Sequence, residues 1–296
     1  MTTENSSIST SHFDNRTTSF LEFLVIALLW GRAWQGLFWD LPLRTLFWDQ
    51  NWMEGLVTTL TQDTWQHYVT NESLPTDQLI DGFGVSLGVF WALAGASLFF
   101  LKNRPQLGKW ILRLSSASLL FLAFLYFKDK YWQVGQFLEY SAQVGSPLLL
   151  SYVWYESKNT LPFRTVVKII IGFTFCAHGL YALGYYPQPG TWIEWCRNVF
   201  GFEGDASIKY FLLTAGVLDI VASIALFLPY KWAYKPALIY CIFWGFMTAA
   251  ARLLGNFYVD MVLLSLHQHL YEVAYRLVHG GLPLLLWFWI ERAPEE

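Results

Sequence analysis

Seven ionisable side chains stand out because they fall inside long apolar segments, where a charge is costly to bury and each such group is a candidate for function. Four of them stand alone in separate segments: Arg32, His178, Asp219 and Arg252. The other three, Glu272, Arg276 and His279, are spaced i, i+4 and i+7, so a helix would carry them on one face. Side chains of these types carry protons, hold ligands or form ion pairs.

Three interpretations of these residues remain open. They could form a proton-carrying or ligand-binding site, for example for a quinone carbonyl, with His178 meeting His279. They could pair structurally, as Asp219 with Arg252 and Glu272 with Arg276. They could ligate a metal or haem, but no span contains a closely spaced histidine pair and the cysteines have no metal-ligand spacing. No metal site and no haem are therefore expected, and a quinone is the cofactor class to consider.

The composition is that of a membrane protein. Hydrophobic residues make up 55% of the 296-residue chain and charged residues only 14%, whereas soluble domains carry about 25% charged residues. Eight apolar segments are near the ~20 residues that cross a bilayer as a helix: 20–39, 83–101, 108–127, 132–154, 165–186, 208–229, 233–254 and 270–290. An all-α transmembrane protein with the lipid bilayer as its partner is predicted. The net charge of −3 suggests no nucleic-acid partner.

The chain also repeats itself. The segment GVFWALAGASLF at 88–99 aligns with GVLDIVASIALF at 216–227, and GSPLLL at 145–150 aligns with GLPLLL at 281–286. The repeat predicts two four-helix units, 19–156 and 165–292, after a flexible tail at 1–18. Because each unit has four spans, the two units would be parallel and related by a pseudo-two-fold axis along the membrane normal.

Comparison of the two copies directs attention to the second one. The second-copy residues His178, Asp219, Glu272, Arg276 and His279 correspond in order to Gln35, Trp91, Gln136, Tyr140 and Gln143. The polar positions are thus duplicated, but only the second copy is ionisable at them. A site is therefore predicted in the second copy. Secondary candidates come from the first: Arg32, Gln35, Gln136 and Gln143.

Charge distribution predicts the orientation. Eleven lysines and arginines fall on the side of both termini and six on the other side, which predicts cytoplasmic termini in the cell membrane. Tryptophan-rich segments at 47–53, 65–68 and 191–195 fall on the other side. They are expected to form short helices on the outer membrane face, or alternatively a lid over an outward-facing cavity.

Some of these motifs resemble a known family. The sequences Gln35-Gly36-Leu37-Phe38 and His178-Gly179-Leu180-Tyr181, with Asp219 three residues after Gly216, resemble the DoxX-like superfamily of four-helix bacterial membrane proteins. The resemblance implies a fusion of two such units that acts as a redox- or quinone-associated subunit beside other membrane or periplasmic proteins. Trp91 departs from the acidic position of that pattern.

Two other functions stay open. One is a transporter or channel with a substrate path between the repeats, because many transporters are built from repeats. The other is a structural membrane subunit without its own activity. No nucleotide-binding, hydrolase or metalloprotease motif occurs in the sequence, so the residues name no reaction.

Overall fold

The computed structural model describes residues 13–62, 64–70, 75–156 and 158–291, and these residues are almost entirely helical. Within them, seven helices are long and apolar enough to cross a membrane: α1 (Asn15–Phe38), α5 (Pro75–Leu101), α6 (Pro105–Asp129), α9 (Leu161–Ala182), α11 (Asp205–Ala225), α12 (Lys231–Leu254) and α13 (Val262–Glu291). The shorter helices are α2 (Arg44–Phe47), α3 (Gln50–Thr61), α4 (Trp65–Thr70), α7 (Val134–Glu139), α8 (Ser141–Tyr155), α10 (Gly190–Phe200) and a 3₁₀ turn at Val259–Met261. The all-α prediction is confirmed, and the seven apolar helices indicate a multi-pass membrane protein.

The two ends of the bundle are distinct. At the terminal face, where α1 begins and α13 ends, Phe13 packs on Trp289 and the Asn159 side chain donates to the Trp289 carbonyl at 2.9 Å. The opposite face carries α2, α3, α4 and α10, which contain most of the tryptophan-rich segments. There Lys128 pairs with Asp49 and holds the pKa of that carboxyl below its ordinary value.

The predicted span 132–154 is not one helix. It is divided at Tyr140 into α7 and α8, and the 15 residues of α8 extend about 22 Å, short of the ~30 Å hydrocarbon core. The first N–H groups of a helix need partners from outside it, and α9 supplies one: the Ala142 N–H donates to Thr174 Oγ1 at 3.1 Å. The predicted eight continuous spans are therefore seven long helices and one divided element.

Two predicted boundaries also need correction. The N-terminal tail was expected to run to residue 18, but α1 begins at Asn15 because the Asp14 carboxylate caps it by accepting from the Thr17 N–H. Helix α13 begins at Val262, eight residues before the predicted 270; the turn at Val259–Met261 leads into it, and Ser265 Oγ accepts a hydrogen bond from the Tyr258 N–H at 3.0 Å. Residues 1–12 of the tail and the predicted boundary at 292 lie outside the described residues.

Glycines let two pairs of helices approach closely. A Cβ at Gly36 of α1 would lie 2.9 Å from the Gly84 carbonyl of α5, and a Cβ at Gly88 would lie 3.0 Å from the backbone of Gly36. Helices α9 and α11 meet in the same way at Gly179 and Gly216, where a Cβ on either would lie 3.0 Å from the carbonyl oxygen of the other. Small residues at such crossings allow backbone-to-backbone packing within a membrane.

This packing predicts a position-dependent effect of added methyl groups. Gly88→Ala should lower the free energy of unfolding by about 1–3 kcal/mol, because backbone would have to move. Gly82→Ala is the matched control on the same helix: a Cβ there meets nothing within 4 Å, so stability should stay the same or rise by up to about 1 kcal/mol. Denaturant unfolding in micelles, followed by circular dichroism, measures both. Equal losses in the two variants would contradict the crossing.

Candidate functional site

Buried polar side chains form a layer across the bundle near the opposite face. Gln35 lies three residues before the end of α1 and His178 four residues before the end of α9, which is about one helical turn. The layer has two parts. The histidine centre consists of Glu139, His178, Arg276 and His279. The arginine centre consists of Arg32, Gln35, Tyr140, Gln143 and Tyr275.

The Glu139 carboxylate joins three helices in the histidine centre. Its Oε1 lies 2.6 Å from Arg276 Nη2 on α13 and 3.3 Å from His178 Nε2 on α9. Gln136, one turn earlier on α7, donates to the other carboxylate oxygen at 3.4 Å. Glu139 is only 7% exposed, so water screens these contacts little and each partner depends on the others.

The two histidines of this centre stack on each other. The ring centroids of His178 and His279 are 5.6 Å apart and the planes are nearly parallel, at 9°. His279 Nδ1 lies 3.0 Å from the Arg276 carbonyl oxygen, which can only accept, so we assign the ring hydrogen to Nδ1. His279 Nε2 is then a bare lone pair, and it is buried with no hydrogen-bond partner among the described side chains.

The ion pairs differ from the structural interpretation of the sequence. Glu272 does not pair with Arg276, because Glu139 approaches Arg276 from α7; instead Glu272 Oε2 lies 3.3 Å from Arg252 Nε. Glu272 Oε1 also lies 3.6 Å from His269 Nδ1. Both arginines are therefore neutralised, each by its own carboxylate.

The proposed pair of Asp219 with Arg252 is also wrong. Asp219 is 1% exposed and accepts a hydrogen bond from the Tyr240 hydroxyl at 2.9 Å. Among the described residues, no cation forms an ion pair with it. The reason is depth: Arg252 lies two residues from the end of α12 at the opposite face, whereas Asp219 lies 14 residues along α11 from that face.

The arginine centre holds a fixed charge without a carboxylate. Arg32 is fully buried, and its Nε and Nη2 both donate to Gln143 Oε1, at 3.0 and 2.6 Å, while Nη1 donates to Gln35 Oε1. The guanidinium also lies over the rings of Tyr275 and Tyr140, at 3.7 and 5.2 Å from their centroids. No carboxylate in the described part of the chain pairs with Arg32, so amide dipoles and aromatic faces stabilise its charge.

Sequence reasoning missed Glu139, although one signal was present. Glu139 is the only carboxyl residue within the predicted span 132–154. The division of that span at Tyr140 places Glu139 at the last position of α7, where it reaches two helices of the second half. The residues that the sequence did single out in the first half, Gln35, Gln136 and Gln143, all bond within the layer.

A small cavity lies beneath α10. Its volume is about 80 Å³, and Trp192 and Trp195 of α10 cover it on the opposite face. His178 and Arg252 line the end of the cavity near the opposite face, and Asp219 lines its deep end. Trp195 lies 4.9 Å from the Arg252 guanidinium, so α10 is attached to the layer by this contact. Burial raises the pKa of the Cys196 thiol, which faces the same cavity.

A larger groove lies on the outside of the bundle between α1 and α13. Its volume is about 800 Å³ and its walls are apolar over most of their length. Near the opposite face it ends at Trp34, His267 and Tyr271. The His267 ring is surrounded there by aromatic rings, with the centroids of Trp34, Phe38 and Trp39 at 5.2–5.4 Å.

The arrangement can bind and exchange protons. His178, His279 and Glu139 are three protonatable groups in contact, and a fixed cation lies nearby at Arg32. Within the described residues, no group of three or more His, Cys, Asp or Glu side chains is placed to hold a metal ion. Comparisons with protein-family models, with curated proteins and with solved structures found no match to this chain.

Removal of the shared carboxylate should destabilise the fold. Glu139→Gln leaves Arg276 as a buried cation without its partner, which costs about 3–5 kcal/mol of unfolding free energy. The double variant with Arg276→Met removes both charges and should recover a large part of that loss. Glu194→Gln, on the exposed side of α10, is the control and should have no effect. If the double variant unfolds as easily as Glu139→Gln, the pair does not carry this energy.

The arginine centre predicts that lysine cannot replace Arg32. Lysine keeps the charge but cannot donate twice to Gln143 while lying flat on Tyr275, so Arg32→Lys should lose about 2 kcal/mol of stability. Arg113→Lys, at an exposed position on α6, should change stability by less than about 0.5 kcal/mol. Unfolding in micelles compares the two, and equal stabilities would show that Arg32 acts only through its charge.

Proposed function

We propose that this chain is a DoxX-like multi-pass protein of the cytoplasmic membrane and a quinone-associated subunit of a redox system. Both termini face the cytoplasm. The repeats 19–156 and 165–292 form two parallel four-helix units, with α7 and α8 together as a kinked fourth pass. The bilayer is one partner, and other membrane or periplasmic subunits that exchange electrons with the quinone are the others.

The repeat is supported by equivalent close contacts in the two halves. The glycine crossing of α1 on α5 has its counterpart in the crossing of α9 on α11. The glycines that precede the two prolines also behave alike: Gly145 faces the Ile170 side chain of α9, and Gly281 faces the Leu24 side chain of α1. Each glycine thus accommodates a side chain from the first helix of the other half.

The single observation that carries the quinone assignment is the groove between α1 and α13. An isoprenoid quinone needs an apolar channel for its tail, flat rings against its head and a hydrogen-bond donor for its carbonyl. The groove offers the channel along Ile26 and Leu270, and His267 with its surrounding aromatic rings at one end. Its size, about 800 Å³, is in the range of small-molecule sites.

The buried layer lies close behind this groove. Tyr271 on the groove wall packs on Tyr275, with ring centroids 6.0 Å apart, and Tyr275 covers Arg32. Reduction of a quinone takes up electrons and protons together, and its reverse releases them. In the proposed function the electrons pass to or from a partner subunit, and the histidine centre holds protons. The buried charge of Arg32, which lies behind Tyr275, favours negative charge on a bound quinone through its electric field and not by direct contact.

Two other functions are each favoured by a different feature. A transporter or channel is favoured by the cavity beneath α10, and a purely structural subunit by the paired charges of the layer. The experiment below distinguishes the quinone assignment from both, because neither alternative requires a ligand in the groove.

Quinone binding is tested on the purified chain. Lipid extracts should contain an isoprenoid quinone, and titration of stripped protein with a short-chain quinone should quench tryptophan fluorescence to saturation, because Trp30 and Trp34 line the groove. Ala27→Phe fills the groove and should weaken binding about tenfold, or ~1.4 kcal/mol.

The matched control is Val221→Phe, which adds a ring at a lipid-facing position of α11, outside the groove residues. It should leave quinone affinity unchanged. Absence of quinone from the extracts together with non-saturable quenching would remove the assignment. So would equal affinities in the two variants.

A further inference from the structure

We propose that Asp219 is a proton-binding site deep in the second half of the bundle, reached from the opposite face through a narrow water-filled cavity beneath α10. The site needs no quinone and goes beyond the proposed function. The site binds water, and Asp219 takes up a proton from that water.

The surroundings of Asp219 favour its neutral, protonated form. The side chain is 1% exposed, and Tyr240 donates to Oδ1 at 2.9 Å. No ion-pair partner of Asp219 is found in the part of the chain that the structure describes. A buried carboxylate without a cation is far more costly than a neutral carboxyl that keeps its hydrogen bonds to Tyr240 and Trp244. Asp219 is therefore protonated, with the proton on Oδ2 while Oδ1 accepts the hydrogen bond from Tyr240.

The cavity connects this carboxyl with the covered end of the bundle. On α11 its wall extends from Phe211 to Asp219, and on α12 from Trp244 to Arg252. Eight residues of helix extend about 12 Å, so the cavity is long and narrow. At about 30 Å³ for each water, its volume of about 80 Å³ holds two or three molecules in a row. The walls are mostly apolar, and His178, Asp219, Thr248 and Arg252 supply the polar groups to which these waters can hydrogen-bond.

Asp219 lies far below the surface from which the cavity starts. It follows Asp205, the first residue of α11, by 14 residues, which corresponds to about 21 Å along the helix. A proton that reaches Asp219 from the opposite face therefore crosses more than half of a ~30 Å hydrocarbon core. This is the geometry of a proton-binding site that is approached from one side, beneath the covering helix α10.

Other titratable groups facing the cavity or Asp219 come from three helices. The charged or basic ones are His178 of α9 and Arg252 of α12, both at the end of the cavity near the opposite face. Their carboxylate partners are Glu139 and Glu272, so neither is free to pair with Asp219. The remaining groups are the Tyr240 hydroxyl and the thiols of Cys176, Cys196 and Cys241. Among the described residues, Asp219 is the only carboxyl that lines the cavity.

In the first half of the chain, a buried tryptophan occupies the position that Asp219 has in the second half. The residue equivalent to Asp219 is Trp91, which is fully buried and donates from its indole N–H to Ser118 Oγ at 2.8 Å. The large ring fills the position that the small carboxyl leaves open. The cavity lined by Asp219 lies in the second half, and the first half has a buried tryptophan at the corresponding position of the proposed repeat.

Infrared spectroscopy of the full chain in lipid nanodiscs tests the proposal directly. At neutral pH the aspartates in water are ionised, so a protonated-carboxyl C=O band that shifts on labelling with [4-¹³C]aspartate should come from Asp219. The band should be absent in Asp219→Asn. In wild-type protein it should move within minutes of transfer to D₂O. Absence of the band, or its persistence in Asp219→Asn, would overturn the proton-bound state.

Access through α10 is tested with two variants of that helix. Trp195→Ala widens the end of the cavity near the opposite face, so exchange of the Asp219 band in D₂O should become severalfold faster. Glu194→Ala changes an exposed neighbour and should leave the exchange rate as in wild type. A band that resists D₂O for hours, or equal rates in the two variants, would overturn the access route. If Asp219→Asn does not fold, the labelled wild-type band and its exchange still decide the proposal, and none of these readouts depends on quinone binding.

Discussion

The structure depends on the cost of burying charge in an apolar bundle. Glu139 reduces this cost for two residues at once, because one of its carboxylate oxygens contacts both Arg276 and His178. It reaches them from the last residue of α7, directly before Tyr140, where the predicted span is divided. Thr174 then satisfies a backbone N–H that the division exposes. Loss of the carboxylate would leave a buried cation and free the helix that now ends there.

In the proposed repeat, the two halves share a frame but differ in chemistry. Glycine crossings and proline-containing fourth elements recur in both, and these features position helices. The polar positions between them have diverged: in the first half Gln35 and Gln143 hold the fixed charge of Arg32, whereas in the second half His178 and His279 occupy the equivalent places. One half is therefore suited to stabilise negative charge and the other to exchange protons.

The sequence predicted what depends on local patterns and missed what depends on facing surfaces. Long apolar runs identified the seven long helices, and the depths of His178 and His279 in their spans placed the two rings at one level. The ion-pair partners could not be predicted in the same way, because they depend on which helices face each other. Glu272 and Arg276 have ideal spacing on one helix, yet each bonds to another helix. The mistaken pair of Asp219 with Arg252 was avoidable, since their depths differ by several turns.

The histidine centre is more than an ion-pair network, because the His178 and His279 rings stack on each other and His279 Nε2 has no hydrogen-bond partner among the described side chains. Nitrogen NMR of the ¹⁵N-histidine-labelled chain at neutral pH tests it most directly. We expect His279 to have a protonated Nδ1, bonded to the Arg276 carbonyl oxygen, and an Nε2 without hydrogen. His279→Gln, the residue at the equivalent position of the first half, assigns the signal. Protonation of both His279 nitrogens, or a hydrogen on Nε2 alone, would contradict this arrangement of the histidine centre.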